Sequence, residues 1–225
     1  MEKTTVFNLI ILDESGSMQP SLKATIAGCN ETINVAKSLQ ETHSDSQRAL
    51  ISVYAFQDNC QVPSRYLCKN IPAEQARHIT EQDYQPWGGT PLLDAVGSTL
   101  VDLEAVASTH EDATAVVTII TDGMENASRN YSYHQVATII SRLKEKGWTF
   151  NFIGANIDVN AEAAKLNIDN AMAYSNDEEG TAEMWDGFNK RSREFAEERC
   201  CREANMSKAE RIKSRVKASK KFFDF

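Results

Sequence analysis

Short apolar runs rich in β-branched residues, each followed by polar residues and then a stretch with helical spacing, constrain this chain more than any other feature. Residues 6–12 (VFNLIIL) form such a run, and so do residues 49–56, 115–121 and 148–154. Runs of this length without polar interruption mark strands buried on both faces. Behind the first run, Leu22, Ile26, Cys29, Ile33, Ala36 and Leu39 recur at three- and four-residue intervals, one stripe of a helix with Pro20 in its first turn. Leu92, Val96, Leu100, Leu103 and Val106 do the same over residues 91–110, and residues 133–146 read as a helix ending at Gly147.

The smaller elements complete the pattern. Asp58-Asn59 is turn chemistry, and residues 60–68 are expected to return as a hairpin partner, with Pro63 marking an edge strand. A short helix fits residues 160–166 and a last strand residues 171–174. Asn176, with Glu179 three positions on, reads as the cap of a long final helix. Buried strands alternating with helices imply an α/β fold. It is a doubly wound, Rossmann-like, mostly parallel six-stranded sheet with one antiparallel edge strand and helices on both faces. In such sheets ligands bind at the carboxyl ends of the strands, where strand order reverses.

Three polar segments fall where that rule points: Asp13-Glu14-Ser15-Gly16-Ser17-Met18 after the first strand, Trp87-Gly88-Gly89-Thr90-Pro91 leading into a helix, and Thr121-Asp122-Gly123 after a buried strand. They offer the carboxylates of Asp13 and Asp122 and the hydroxyls of Ser15, Ser17 and Thr90, with no His or Cys. Oxygen-only donors suit a hard cation such as Mg²⁺, Mn²⁺ or Ca²⁺. In an extended loop Ser15 and Ser17 face the same side. Gly16 is expected to give that turn its freedom. Pro91 pre-sets the helix start and places Thr90 as an N-cap whose hydroxyl points outward. Carboxylates that reach the ion through water leave it electrophilic, and an open position then favours a Glu or Asp from another molecule.

These segments resemble the metal-ion-dependent adhesion site of von Willebrand factor A domains: D-x-S-G-S at 13–17, the Thr90 of G-G-T-P and the Asp122 of T-D-G, in family order. The resemblance covers roughly residues 5–175, so residues 1–175 are read as the domain and 176–225 as a C-terminal helical extension with a basic tail. It implies that Ser15, Ser17 and Thr90 ligate the metal and that Asp13 and Asp122 do so directly or through water. Glu14, at the variable position, adds local negative charge. The chain looks most similar to bacterial stand-alone intracellular members. The resemblance implies a protein partner that supplies a Glu or Asp to the metal, among AAA+ ATPases or stress-response complexes.

Rival readings are weaker on chemistry. A phosphatase with Asp13 as nucleophile needs a second Asp two positions on, where Ser15 stands. No phosphate-cradling glycine loop of either common kind is present. His43, His78, His110 and His134 lie in loops or near helix ends and read as solvated. The chain is therefore expected not to be an enzyme, with metal-dependent hydrolysis as the alternative.

Charge bears on the partner. The net charge of −8 divides unevenly: residues 190–225 hold 12 Lys/Arg against 6 Asp/Glu, and the body is strongly acidic. An acidic body disfavours nucleic acid, although Lys208, Arg211, Lys213, Arg215, Lys217, Lys220 and Lys221 leave the tail as an alternative route. The tail is expected to fold back on the body or dock a partner through Phe222, Phe223 and Phe225. No run approaches the ~20 apolar residues of a membrane span. The N-terminus lacks secretory features, and the five cysteines show no metal or redox spacing, so a cytoplasmic location is expected.

Overall fold

The computed structural model describes residues 3–223. The chain runs through strand β1 (Thr4–Asp13), helix α1 (Leu22–Thr42), strands β2 (Gln47–Phe56) and β3 (Arg65–Pro72), helix α2 (Leu92–Ala107), strand β4 (Ala113–Thr121), helix α3 (Tyr133–Glu145), strand β5 (Thr149–Gly154), helix α4 (Val159–Lys165), strand β6 (Asn170–Ala173) and helices α5 (Glu178–Glu203) and α6 (Lys208–Ala218). The sheet order is β3-β2-β1-β4-β5-β6, with every neighbouring pair parallel except β2 and β3. The chain moves outward from β1 to β2 and β3, then returns to β1's other side with β4. The strand order therefore reverses between β1 and β4.

The period-two alternation of β1 divides the core. Phe7, Leu9 and Ile11 face α2, α3 and α4, where they meet Leu92, Val96, Leu100, Val136 and Ile140. Ile10 and Leu12 face the other layer with Cys29 of α1 and with Met184, Trp185 and Phe188 of α5. A strand flanked on both faces in this way must be apolar throughout, which is why β1 and β4 read as unbroken runs. Helix α5 approaches α1 closely. A Cβ on Gly28 would lie 2.0 Å from Cγ of Trp185, so only glycine admits the indole there. Asn189 of α5 then spans the contact, accepting from the Thr32 hydroxyl at 2.8 Å and donating to the Gly28 carbonyl at 3.2 Å.

Several local readings shift. Pro20 sits in a separate 3₁₀ turn over Gly16–Ser21, and α1 begins only at Leu22. The edge strand begins at Arg65 rather than residue 60, and Pro63 lies in the turn before it. Helix α5 takes Asp177 as its cap, through Gly180 N at 2.7 Å, and leaves Asn176 free for another role.

The basic tail folds back. Helix α6 starts with a capping box formed by Ser207 and Glu210. Arg215 is buried and bonds Asp112 at 2.7 Å and Glu203 at 2.7 Å, while Arg211 also reaches Asp112 at 3.0 Å. Phe222 is buried against Phe195, with ring centroids 5.0 Å apart, and Phe223 packs edge-on to it. Phe225 lies outside the described residues. No described helix is long and apolar enough to cross a membrane.

Candidate metal centre

The three polar segments meet at the carboxyl ends of β1 and β4, at the point where strand order reverses. Asp13 ends β1 and is fully buried. Its Oδ1 accepts from Ser15 N at 2.7 Å and its Oδ2 accepts from the Thr121 hydroxyl at 2.6 Å. The second bond ties the two central strands together at the site. Ser15 has extended backbone and its hydroxyl caps nothing, so the oxygen is left to meet Ser17 Oγ at 3.0 Å. Ser17 Oγ in turn donates to Asp122 Oδ1 at 2.7 Å.

The loop after β1 is not extended beyond Ser15, and the 3₁₀ turn is what brings Ser17 round. Nor does Gly16 adopt a left-handed backbone, and a Cβ there would have 3.7 Å of clearance. The glycine that the second loop requires is Gly88, at φ +72°, where a Cβ would lie 2.5 Å from Asp58 Oδ1. Two backbone bonds join the first and second loops, Gly16 N to Gly88 O at 3.1 Å and Trp87 N to Glu14 O at 2.8 Å.

Thr90 is held from the third loop. Its N–H donates to Asn126 Oδ1 at 2.8 Å, and its carbonyl accepts from Asn126 N at 3.2 Å. Pro91, not Thr90, occupies the cap position of α2, whose first amides are taken by Glu125 and Ser128. The Thr90 hydroxyl makes no hydrogen bond among the described residues. A point one Cβ bond out from Gly123 lies 3.2 Å from Thr90 Oγ1 and 3.9 Å from Ser17 Oγ, so the two hydroxyls converge above that glycine. All five residues singled out in the sequence, Asp13, Ser15, Ser17, Thr90 and Asp122, thus share one rim.

The electrostatics fit a divalent cation. Burial pushes the Asp13 carboxyl up to about 7 despite its hydrogen bonds to Thr121 and Ser15, and burial also raises Asp122. No Lys or Arg bonds either carboxylate among the described residues. Two buried acids without a counter-charge are unfavourable, and an ion held by them and by the three hydroxyls would remove that cost. Glu14, expected to add charge here, instead points away. It is fully buried and bonds Arg65 at 2.7 and 3.0 Å, Gln57 Nε2 at 2.8 Å and Gln85 N at 2.6 Å. It pins the edge of the sheet to the second loop.

Asn176 belongs to the site and was missed in the sequence. Its Nδ2 donates to Asp122 Oδ2 at 2.6 Å and to the Ser17 carbonyl at 3.0 Å, while its Oδ1 is buried with no partner. Asn176-Asp177 offered two capping side chains for one helix, and only that surplus hinted at the second role. Trp87 (66% exposed) and Met124 (61% exposed) stand on the second and third loops beside the rim. They are two of the three large hydrophobics that the described surface exposes. Tyr131 packs over Gly97, and Tyr133 bonds Glu162, so both are structural. Of the histidines, His110 packs edge-to-face against Phe7 and His78 bonds Asn34. The His43 Nε2 is buried without a partner rather than solvated.

No protein-family model and no curated protein matches the chain. Solved structures do. The von Willebrand factor type A protein from Catenulispora acidiphila is 19% identical over 85% of this chain and 43% of its own length, with a TM-score of 0.55. The SpRpn10 VWA domain is 10% identical over 79% of this chain and 92% of its own, with a TM-score of 0.52. Proximal thread matrix protein 1 from the mussel byssus, with a zinc-occupied MIDAS motif, is 12% identical over 84% of this chain and 46% of its own, with a TM-score of 0.55. The chain has the fold of a von Willebrand factor A domain, and it spans less than half of the Catenulispora protein.

Proposed function

We propose that the chain is a divalent-cation-dependent protein-binding module that grips a Glu or Asp of its partner. The observation that carries this reading is the pair of buried carboxylates without a cationic partner among the described residues, Asp13 and Asp122, beneath the converging hydroxyls of Ser15, Ser17 and Thr90 and flanked by exposed Trp87 and Met124. Ser15, Ser17, Thr90, Asp13 and Asp122 would hold the ion, and Mg²⁺ suits their hard oxygens best. A bound ion supplies an electrophilic position for an incoming carboxylate. The protein's own part is to fix the donors: Thr121 and Ser15 N hold Asp13, Asn176 holds Asp122, and Asn126 holds Thr90. The apolar pair beside the rim gives a partner surface to bury once its carboxylate is seated.

Binding is proposed rather than turnover. Asp13 has both oxygens engaged and no exposure, Asp122 has both oxygens engaged by Ser17 and Asn176, and no histidine lies on the rim among the described residues, which disfavours a general base there. Nucleic acid is disfavoured because Arg211 and Arg215, central to the basic tail, are spent on Asp112 and Glu203. A cytoplasmic location fits five free cysteines, and a partner of the AAA+ or stress-response kind rests on the sequence resemblance alone.

The test is Mg²⁺ titration by calorimetry joined to a pull-down with wild type, wild type in EDTA, and a folded Thr90→Ala variant. A protein retained only by ion-loaded wild type supports the reading. Retention of the same proteins in all three arms overturns it.

A further inference from the structure

At the opposite end of the sheet from the metal centre lies a second polar site. Arg199 of α5 is 5% exposed, yet it forms no ion pair among the described residues. Its Nη2 donates to Gln47 Oε1 and lies 4.0 Å from the Cys200 thiol, while its Nε and Nη1 have no acceptor among the described residues. A buried guanidinium normally carries a carboxylate partner, because an uncompensated buried charge is costly. The acids nearby are committed. Glu203 is bound by Arg215, and Asp112 is shared by Arg215 and Arg211. Asp45 is exposed and makes no ion pair among the described residues.

Arg199 also borders empty space on two sides. One is a pocket of about 150 Å³ lined by Thr4, Ser46, Gln47, Glu203 and Arg211. The other is a crevice of about 50 Å³ between the sheet and α5, walled by Val6, Phe188, Phe195 and Phe222. The guanidinium thus stands between a polar pocket and an apolar crevice.

We propose that this site binds a short-chain monocarboxylate, its head paired with Arg199 and its alkyl end against the phenylalanines. The planar fork of the guanidinium matches a carboxylate's two oxygens. One uncompensated positive charge calls for one negative charge, whereas a phosphate dianion would bring a second negative charge to a wall that holds Glu203 and Asp45 and whose other cation, Arg211, is already paired with Asp112. The pocket's size admits an acid of a few carbons.

The test uses the full chain, with sodium butyrate against inorganic phosphate and chloride at equal ionic strength, read by thermal unfolding and calorimetry. Butyrate at tenfold over its Kd is expected to raise Tm by roughly 3–6 °C and to saturate. Arg199→Met is expected to remove that shift and to leave Mg²⁺ binding unchanged. The proposal is overturned if butyrate does no more than chloride, if phosphate outdoes butyrate, or if Arg199→Met keeps the shift. Should Arg199→Met fail to fold, the wild-type titration decides by itself.

Discussion

Asn176 donates to Asp122 across 54 residues of sequence, at 2.6 Å, and so fixes the rotamer that turns Asp122's other oxygen toward Ser17. Partners that orient a metal-binding carboxylate commonly contribute one to two orders of magnitude to affinity. Asn176→Ala is expected to weaken Mg²⁺ binding roughly tenfold by calorimetry while leaving the fold intact. An unchanged Kd would remove Asn176 from the site.

Mg²⁺ uptake should depend on pH near neutrality. In the ion-free chain burial holds the Asp13 carboxyl up to about 7, above its ordinary value of 3.8. The proton is therefore favoured in the folded state at low pH, and the ion must displace it. Affinity is expected to be nearly flat above pH 8 and to fall by about tenfold per pH unit below 6. Without the ion the same shift makes the folded chain gain stability as pH falls from 7 toward 4. Calorimetric Kd values at pH 5.5, 6.5 and 8 check the slope, and a pH-independent Kd contradicts the burial argument.

Trp87→Ala separates the ion from the partner. The indole is exposed, so its removal should change Tm by less than about 2 °C and leave the Mg²⁺ Kd alone. Partner binding should still weaken by about tenfold or more, as loss of an interface tryptophan does. Equal partner affinity in the variant would place the contact surface elsewhere.

The fold was legible because its strands are unbroken apolar runs and its helices carry clear stripes. The doubly wound sheet and the presence of one antiparallel edge strand follow from those patterns, and the rule that ligands sit at strand carboxyl ends, with the family resemblance, brings Asp13, Ser15, Ser17, Thr90 and Asp122 together. What escaped was information carried by pairing rather than periodicity. Glu14 reads as a site charge until Arg65, from a different strand, is seen to neutralise it. Asn176 reads as a cap because Asp177 beside it offers the same chemistry. The edge strand was misplaced by several residues because residues 57–64 are turn-like and half-exposed, and give no alternation to count.

Arg215 joins α6 to the body through Asp112 and Glu203. Arg215→Met leaves buried Glu203 without its partner and Asp112 with Arg211 as its one cation, and is expected to cost about 3–5 kcal/mol, measured by chemical denaturation. Burial raises the Asp112 carboxyl, but its bonds to Arg215 and Thr4 outweigh that and hold it at about 2. Since the folded value lies below 3.8, this contribution is complete above about pH 5 and is lost as pH falls toward 2. The variant should show a shallower loss of stability than wild type in that window, the remainder coming from other carboxyls held low, such as Asp94 and Glu104. A denaturation midpoint equal to wild type would show that α6 is only loosely attached.

Contacts from the end of the chain also complete parts of the structure laid down at its start. Arg215 bonds the hydroxyl of Thr4, 211 positions earlier, and Asn176 closes the metal rim from beyond all six strands. A nascent chain still on the ribosome can therefore carry Asp13, Thr90 and Asp122 in the open while the α1 layer lacks its α5 cover and Asp112 lacks its cation. Through that interval the apolar face of α1 and the buried acid Asp112 stand exposed, so the fold closes only when the last two helices have emerged.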